Sequence, residues 1–427
     1  MPRVLLLAAT TGYQTRAFED AAERIGIDLV YATDRCNILD DPWRDGAIAV
    51  RFHDETKSVD AIAGAARAIH VEGVLAVGDR PVVLAATVSA ELGLPWHPTS
   101  AALITRSKQR TRERLRDAGL LVPEFRVLPL TAEIPELDSS LPYPAVIKPV
   151  ALSGSRGVMR VDGPEALCAA IYRLRAIVQS ADVRGERNAD HSLALVETFI
   201  SGREYAVEGL MTHGELQVLA VFDKPDPLDG PFFEETIYCT PSTASPDVQD
   251  AIIEAIGMAA KAIGLGHGPI HAECRVNDRG VYVLEVAGRP IGGLCARSLR
   301  FRDRTSNAAL ISLEELLLRH SLGEPTRRWL REESAAGVMM IPIPRRGVLR
   351  EVWGLEHARA VPGVFDIRIT AKTDQLLVPL PEGASYLGFI FARGDTSHSV
   401  ERALRSAHSR LGFAIDPEVP MLQSLHG

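Results

Sequence analysis

Along the first 95 residues, continuous apolar runs alternate with stretches of helical spacing. VLLLAA (4–9), IDLVYAT (27–33) and VEGVLAVG (71–78) read as buried strands. Helices are predicted over 14–24, over 59–69 and then up to Leu92. Strands alternating with helices imply a parallel sheet covered on both faces. The loop from Ala8 to Tyr13 follows the first strand, where such sheets take ligands. It holds a single glycine, so no dinucleotide fingerprint is present.

From Trp96 the pattern changes. Ser107 is placed to cap a charged helix that ends at Gly119. A proline-rich connection (129–144) leads to the strand AVIKPV and to the loop Ser153-Gly154-Ser155-Arg156-Gly157. A helix is predicted over 164–179, then an exposed polar loop over 182–191. LALVETFI, REYAVEGLM and LQVLAVFDK predict an antiparallel meander, and KPDPLDGPFFEET is a loop long enough to carry function. Val248, Ile252, Ile256, Ala259 and Ile263 recur at helical spacing after Ser245-Pro246. A helix is also predicted over 313–320. From Ala335, strand-like segments (GVMMIPIP, FDIRIT, LLVPL, YLGFIFARG) precede a last helix over 397–411. The chain thus reads as an α/β and α+β multidomain protein divided at 1–95, 96–190, 191–334 and 335–427.

HAECRV-NDRG-VYVLEV predicts a hairpin around a three-residue loop, Asp278–Gly280. That register sets Glu273 opposite Glu285, with His271, Arg275, Val283 and Ala287 on the same face and Tyr282 and Leu284 on the other. Opposed side chains start roughly 5 Å apart, where like charges are destabilising. A cation between them relieves this, and Mg2+ favours carboxylate oxygens and phosphates. The plain alternative is a solvated acidic face balanced by Arg275.

Composition narrows the classes. The chain has 427 residues, 46% hydrophobic and 24% charged, with a net charge of -8. That balance suits several buried cores and argues against bulk nucleic-acid binding. Five scattered cysteines form no CxxC pair, so neither a zinc site nor a disulfide framework is indicated. No apolar run approaches the ~20 residues of a membrane span. The first run is too short for a signal-peptide core. A cytoplasmic protein without nucleic-acid or membrane partners is expected.

Several residues are suited to a nucleotide. Lys148, at the end of a buried strand, needs an anionic partner, either a carboxylate of the protein or a phosphate. The small residues Ser153 to Gly157 let backbone N–H groups approach an anion, although GxxxxGK[ST] is absent. Lys108 lies in a basic helix, Glu197 and Glu204 bracket the turn in VETFISGREY, and Arg289 follows Glu285 by four residues.

Taken in order, these elements resemble the ATP-grasp superfamily over about residues 96–310. The resemblance implies a Rossmann-like domain followed by two ATP-grasp subdomains, with ATP and Mg2+ (or Mn2+) between them. It implies that Lys108 and Lys148 contact phosphates while Ser153, Gly154, Ser155 and Gly157 close over them. Glu197 with the backbone of Phe199 and Ile200 would read adenine, Glu204 would hold ribose, and Glu273 and Glu285 the metal. Ala287 departs from the pattern, since many members carry Asn there as a further ligand.

The whole chain is most similar to bacterial L-amino acid ligases, through EVAGRPIGG, the FFEET loop and the part after Ala335. This implies amide formation from two amino acids by way of an acyl phosphate, with release of ADP and phosphate. Arg289 would bind a substrate carboxylate or stabilise the tetrahedral intermediate, so Arg289 and Lys148 are the catalytic candidates. Glu234 or Glu235 would bind the α-amine, with Gly292 and Gly293 beside the substrate. Tyr238 stands near a position where related ligases carry a substrate-contacting histidine, and a homodimer is the assembly common in this group. The alternatives are a bicarbonate-using carboxylase of the biotin carboxylase or purine-biosynthesis type, or a nucleotide-binding regulator without turnover.

Overall fold

A computed structural model describes residues 1–9, 14–34, 47–131, 142–306 and 308–418. Most of the loop between Ala8 and Tyr13 and much of the proline-rich connection lie outside them. The N-terminal strands Arg3–Ala8, Asp28–Thr33, Ala47–Ala49 and Gly73–Val77 form a parallel sheet, as the alternation predicts. Helix Leu313–Ser321, from late in the chain, packs on the first helix (Thr15–Ile25) and on strand Gly73–Val77. The N-terminal unit therefore borrows a cover from elsewhere in sequence.

Strand Leu193–Thr198 departs from the predicted meander. It pairs with Phe125–Pro129 and Ala145–Pro149 in a separate four-stranded sheet. The chain changes sheets immediately afterwards, at Phe199–Gly202. Gly202 sits at φ +116, and a Cβ there would lie 2.2 Å from the Val276 carbonyl oxygen, so only glycine passes. The stretch expected to be an exposed loop contains helix Ala181–Gly185 and a 3-10 turn, Ala189–Ser192, with His191 buried.

The central sheet has eight strands, in the order Gly280–Ala287, Gly268–Asn277, Arg203–Thr212, Glu215–Asp223, Ile237–Thr240, Ala335–Ile341, Gly388–Gly394 and Val364–Ile369. It runs without a break from the glutamate hairpin into the C-terminal part. Helix Pro246–Ile263 covers one face, burying Ile252, Ile256, Ala259 and Ile263 as their spacing predicts. Ser107 Oγ accepts the Arg110 N–H, so the predicted cap is present. Among the described residues no helix is long and apolar enough to cross a membrane.

The hairpin keeps its central pair by a different route. Its turn has two residues, Asp278 and Arg279, so Asn277 pairs with Gly280 and Arg275 with Tyr282. A bulge at Leu284 then restores Glu273 opposite Glu285. Val283 therefore pairs with Cys274 in the core under the helix, and Tyr282 shares the face of Arg275. The expected faces of Tyr282 and Val283 are reversed, because a two-residue turn and a bulge together replace the three-residue loop.

Candidate active site

A cavity of ≈ 460 Å³ lies where all four parts of the chain meet. Lys108, Lys148, Ser153, Gly154, Ser155, Glu197, Phe199, Ile200 and Glu204 line it. So do Glu235, Glu273, Glu285, Arg289, Gly292 and Gly293. Two expected residues do not. Gly157 packs against Pro149 and donates its N–H to the Pro381 carbonyl at 2.9 Å. Glu234 is not part of the lining and accepts a hydrogen bond from the Ile343 backbone, leaving Glu235 as the loop carboxylate at the cavity.

One wall is built on a buried triplet. Arg112 donates to both oxygens of Glu197 (2.9 and 3.3 Å), and Lys148 donates to the same carboxylate. Burial would raise the Glu197 pKa, but Arg112 and Lys148 outweigh it and bring it to about 2. Burial lowers Lys148 to about 8 against the pull of Glu197. Two cations share one carboxylate here, so the wall carries surplus positive charge. Arg112 belongs to a helix that reads as solvated, yet its side chain is 0% exposed, and it also caps the Val283 and Leu284 carbonyls. Lys108 donates to the Leu152 carbonyl and lies 4.0 Å from Glu285.

The groups expected to meet a nucleoside are partly engaged. The Phe199 N–H donates to the Pro144 carbonyl at 2.9 Å, and the Ile200 carbonyl accepts from Arg275 at 2.7 Å. The Phe199 ring carries the Arg160 guanidinium at 4.6 Å and that of Arg275 at 5.0 Å, a cation–π cluster on the cavity wall.

The opposite wall is acidic. Glu204, Glu235 and Glu273 offer oxygens that lie within 4.8 Å of one another. Lys224 sits behind them, its Nζ 2.8, 2.7 and 2.9 Å from the three carboxylates in that order. Burial disfavours the Lys224 ammonium, but the three glutamates raise its pKa well above the usual value. Arg275 holds the second oxygen of Glu204 at 2.8 Å. Burial and the neighbouring Glu273 push Glu235 up to about 7, only partly offset by Lys224. Glu273 itself is held well below the usual range, because Lys224 and His271 outweigh its burial. His271 bridges Glu208 (3.1 Å) and Glu273 (3.8 Å), and these two carboxylates raise it to about 9 against burial. Carboxylates remain in excess of cations, and hard oxygen donors in this number suit Mg2+.

Arg289 lines the same cavity. Asp79 takes it in a bidentate pair, 2.8 and 3.1 Å, and Arg289 outweighs burial to bring Asp79 down to about 2. Asp79 comes from VGDRP, just past strand Gly73–Val77, the end at which parallel sheets bind ligands. Sequence reasoning missed Asp79, Lys224 and Arg112. Only Asp79 carried a usable signal, its place after the strand.

The fold and this site define an ATP-grasp protein. Residues 141–298 match the model of the ATP-grasp domain, and 18–96 that of the ATP-grasp N-terminal domain. The chain thus carries an ATP-grasp domain behind an ATP-grasp N-terminal domain, the class whose cofactors are ATP and Mg2+. More narrowly, residues 339–416 match the L-amino acid ligase C-terminal domain 2. The crystal structure of an L-amino acid ligase from Bacillus licheniformis superposes with a TM-score of 0.81 at 24% identity, over 97% of this chain and 99% of that one. D-alanine–D-alanine ligase B of Chromobacterium violaceum is 27% identical over 54% of this chain and 71% of its own. Carnosine synthase 1 of Mus musculus is 28% identical over 54% of this chain, which spans only 29% of that protein.

Proposed function

We propose that the chain is an ATP-dependent carboxylate–amine ligase that joins two amino-acid substrates through an acyl phosphate. The observation that carries this reading is the division of charge across one cavity, with cations in excess on one wall, carboxylates on the other, and Arg289 in the same lining. The names of two similar proteins, an L-amino acid ligase and a D-alanine–D-alanine ligase, support the same class.

In this reading the triphosphate lies along Lys108, Lys148 and the loop Ser153–Ser155. Adenine lies by Phe199 and Ile200, with Glu197 acting mainly by holding Lys148 in place. Glu204 keeps lone pairs for a ribose hydroxyl beside its contacts to Lys224 and Arg275. Glu273 and Glu285 would hold Mg2+, which when bound neutralises charge on the transferred phosphoryl group. A donor carboxylate then attacks the γ-phosphorus, ADP leaves, and Lys108 and Lys148 stabilise the charge shifting onto the phosphate oxygens. The second substrate's amine attacks the acyl carbon and phosphate departs. Arg289, already oriented by Asp79, faces the oxyanion of that step. The amine is oriented by Glu235 rather than Glu234, and Tyr238, Ile291, Cys295, Met340, Tyr386 and Phe389 give that end of the cavity an apolar lining. The functional units of this reading are a Rossmann-like domain, two ATP-grasp lobes hinged at 199–202, and a C-terminal part continuous with the second lobe.

A pairwise amino-acid screen tests the proposal, with phosphate release and product mass as readouts. Phosphate release that needs an amino-acid pair, with a product of the condensed mass, is expected. Stimulation by bicarbonate but by no amino acid would overturn the ligase reading in favour of a carboxylase. ATP binding without turnover on the whole panel would overturn it in favour of a regulator.

A further inference from the structure

The segment Pro381–Tyr386 reaches from the C-terminal part of the chain onto the Ser153–Gly157 loop. The Pro381 carbonyl accepts the Gly157 N–H at 2.9 Å, and the Glu382 carbonyl accepts Arg156 Nε at 2.9 Å. The Glu382 carboxylate takes Arg173, on the helix behind the loop, in a bidentate pair at 2.8 and 3.0 Å. A Cβ on Gly154 would lie 3.7 Å from that of Ala384, so Ala384 stands one methyl group away from the loop. The segment's own turn is fixed. Gly383 donates to the Pro379 carbonyl at 2.9 Å, and a Cβ on it would lie 1.8 Å from the Val378 carbonyl oxygen. Its next residues, Ala384, Ser385 and Tyr386, line the cavity, as do Ser153, Gly154 and Ser155.

One short segment thus grips the loop that would cover the phosphates and also walls the substrate end. Arg156 ties the assembly down further, donating to Ser180 Oγ at 3.1 Å and to Asp182 at 2.5 Å. The exposed Arg173–Glu382 pair alone contributes little stability. The buried Gly157–Pro381 hydrogen bond, with the half-buried Arg156–Glu382 one, sets the geometry. We propose that Pro381–Tyr386 is a strap that positions the Ser153–Gly157 loop, with Arg156 and Glu382 as positioning residues. Through it, occupancy of the substrate end controls how the loop closes on the nucleotide. The coupling to product formation rests on the ligase reading above, whereas the mechanical link between strap and loop does not.

Amide hydrogen exchange on the full chain reads the link directly. Adding Mg2+ with a non-hydrolysable ATP analogue is expected to slow exchange at residues 382–386 at least threefold. Arg156→Ala is expected to remove that protection while exchange elsewhere in the C-terminal part stays as in the parent. Glu382→Arg and Arg173→Glu should each reduce the protection and the double variant restore it, a rescue that loss of folding cannot produce. In turnover assays Arg156→Ala is expected to lower product formed per ADP several-fold. Unchanged exchange at 382–386 on nucleotide binding would overturn the link. Exchange that responds, with no amino-acid pair giving product, would keep the link and overturn the ligase reading alone. Exchange that responds, with product per ADP unaltered in Arg156→Ala, would overturn the coupling.

Discussion

Two buried lysines, one on each wall of the cavity, are held in opposite ways. Lys148 shares a single carboxylate with Arg112, and its pKa is depressed to about 8. Lys224 faces three carboxylates and is raised well above the ordinary value. The side-chain type and the burial are the same, so the difference lies in the partners alone. A site with surplus cations is incomplete without an anion, and one with surplus carboxylates without a cation. ATP with Mg2+ supplies both.

The largest expected effect removes the acidic wall's capacity for the metal. Glu285→Gln and Glu273→Gln should each lower ADP release about 10²–10³-fold, the scale of losing one transition-state electrostatic contact. ATP affinity should change far less, because the nucleotide keeps Lys108, Lys148 and the 198–200 segment. Full turnover in Glu285→Gln would remove the metal role. Next, each wall can be unbalanced separately. Lys224→Met and Arg112→Met each break a buried ion pair and should cost about 3–5 kcal/mol in denaturant unfolding. Mg2+ should recover part of the loss in Lys224→Met and none in Arg112→Met, and equal recovery would erase the distinction between the walls.

Acid provides a third handle. Glu197 has its pKa lowered to about 2, so its stabilisation is present above the unfolded value near 4.5 and is lost as pH falls through 2. The expected slope is about 1.4 kcal/mol per pH unit in that window, absent in Glu197→Gln. His97 and His320, lowered mainly by burial to about 4 and about 3, act in a higher window. They are buried neutral, so stability is complete above pH 6.5 and declines as pH falls through their folded values. His320→Gln should flatten the decline between about pH 6 and 4. The smallest effect is Arg173→Ala, expected to cost about 0–1 kcal/mol because the pair is exposed.

Much of this was legible in the chain because local rules carried it. Ser107 caps its helix, Ile252, Ile256, Ala259 and Ile263 face the core, and the N-terminal alternation gives a parallel sheet. Glu273 does face Glu285, but through a two-residue turn and a bulge that compensate each other, which periodicity cannot distinguish from a regular hairpin. Strand Leu193–Thr198 was misplaced because adjacency in sequence favours a meander, whereas its partners lie about 50 and 70 residues upstream. Arg112 and Lys224 were hidden for the same reason. A cation in KQRTRERLRD or at the end of LQVLAVFDK looks solvated until distant carboxylates are folded onto it. Gly157 lined the expected loop by sequence, yet its N–H is turned to Pro381 by a segment more than 200 residues away.

In the proposed reaction a substrate carboxylate is activated on ATP within this cavity. Once the screen identifies a donor, that donor labelled with 18O in its carboxylate tests this step most directly. Attack on the γ-phosphorus makes a carboxylate oxygen the bridge of the acyl phosphate, and it departs with phosphate when the amine attacks. One labelled oxygen per released phosphate, appearing only when both substrates and Mg2+ are present, is the predicted result. Product formed with no label in the phosphate would contradict the acyl-phosphate route.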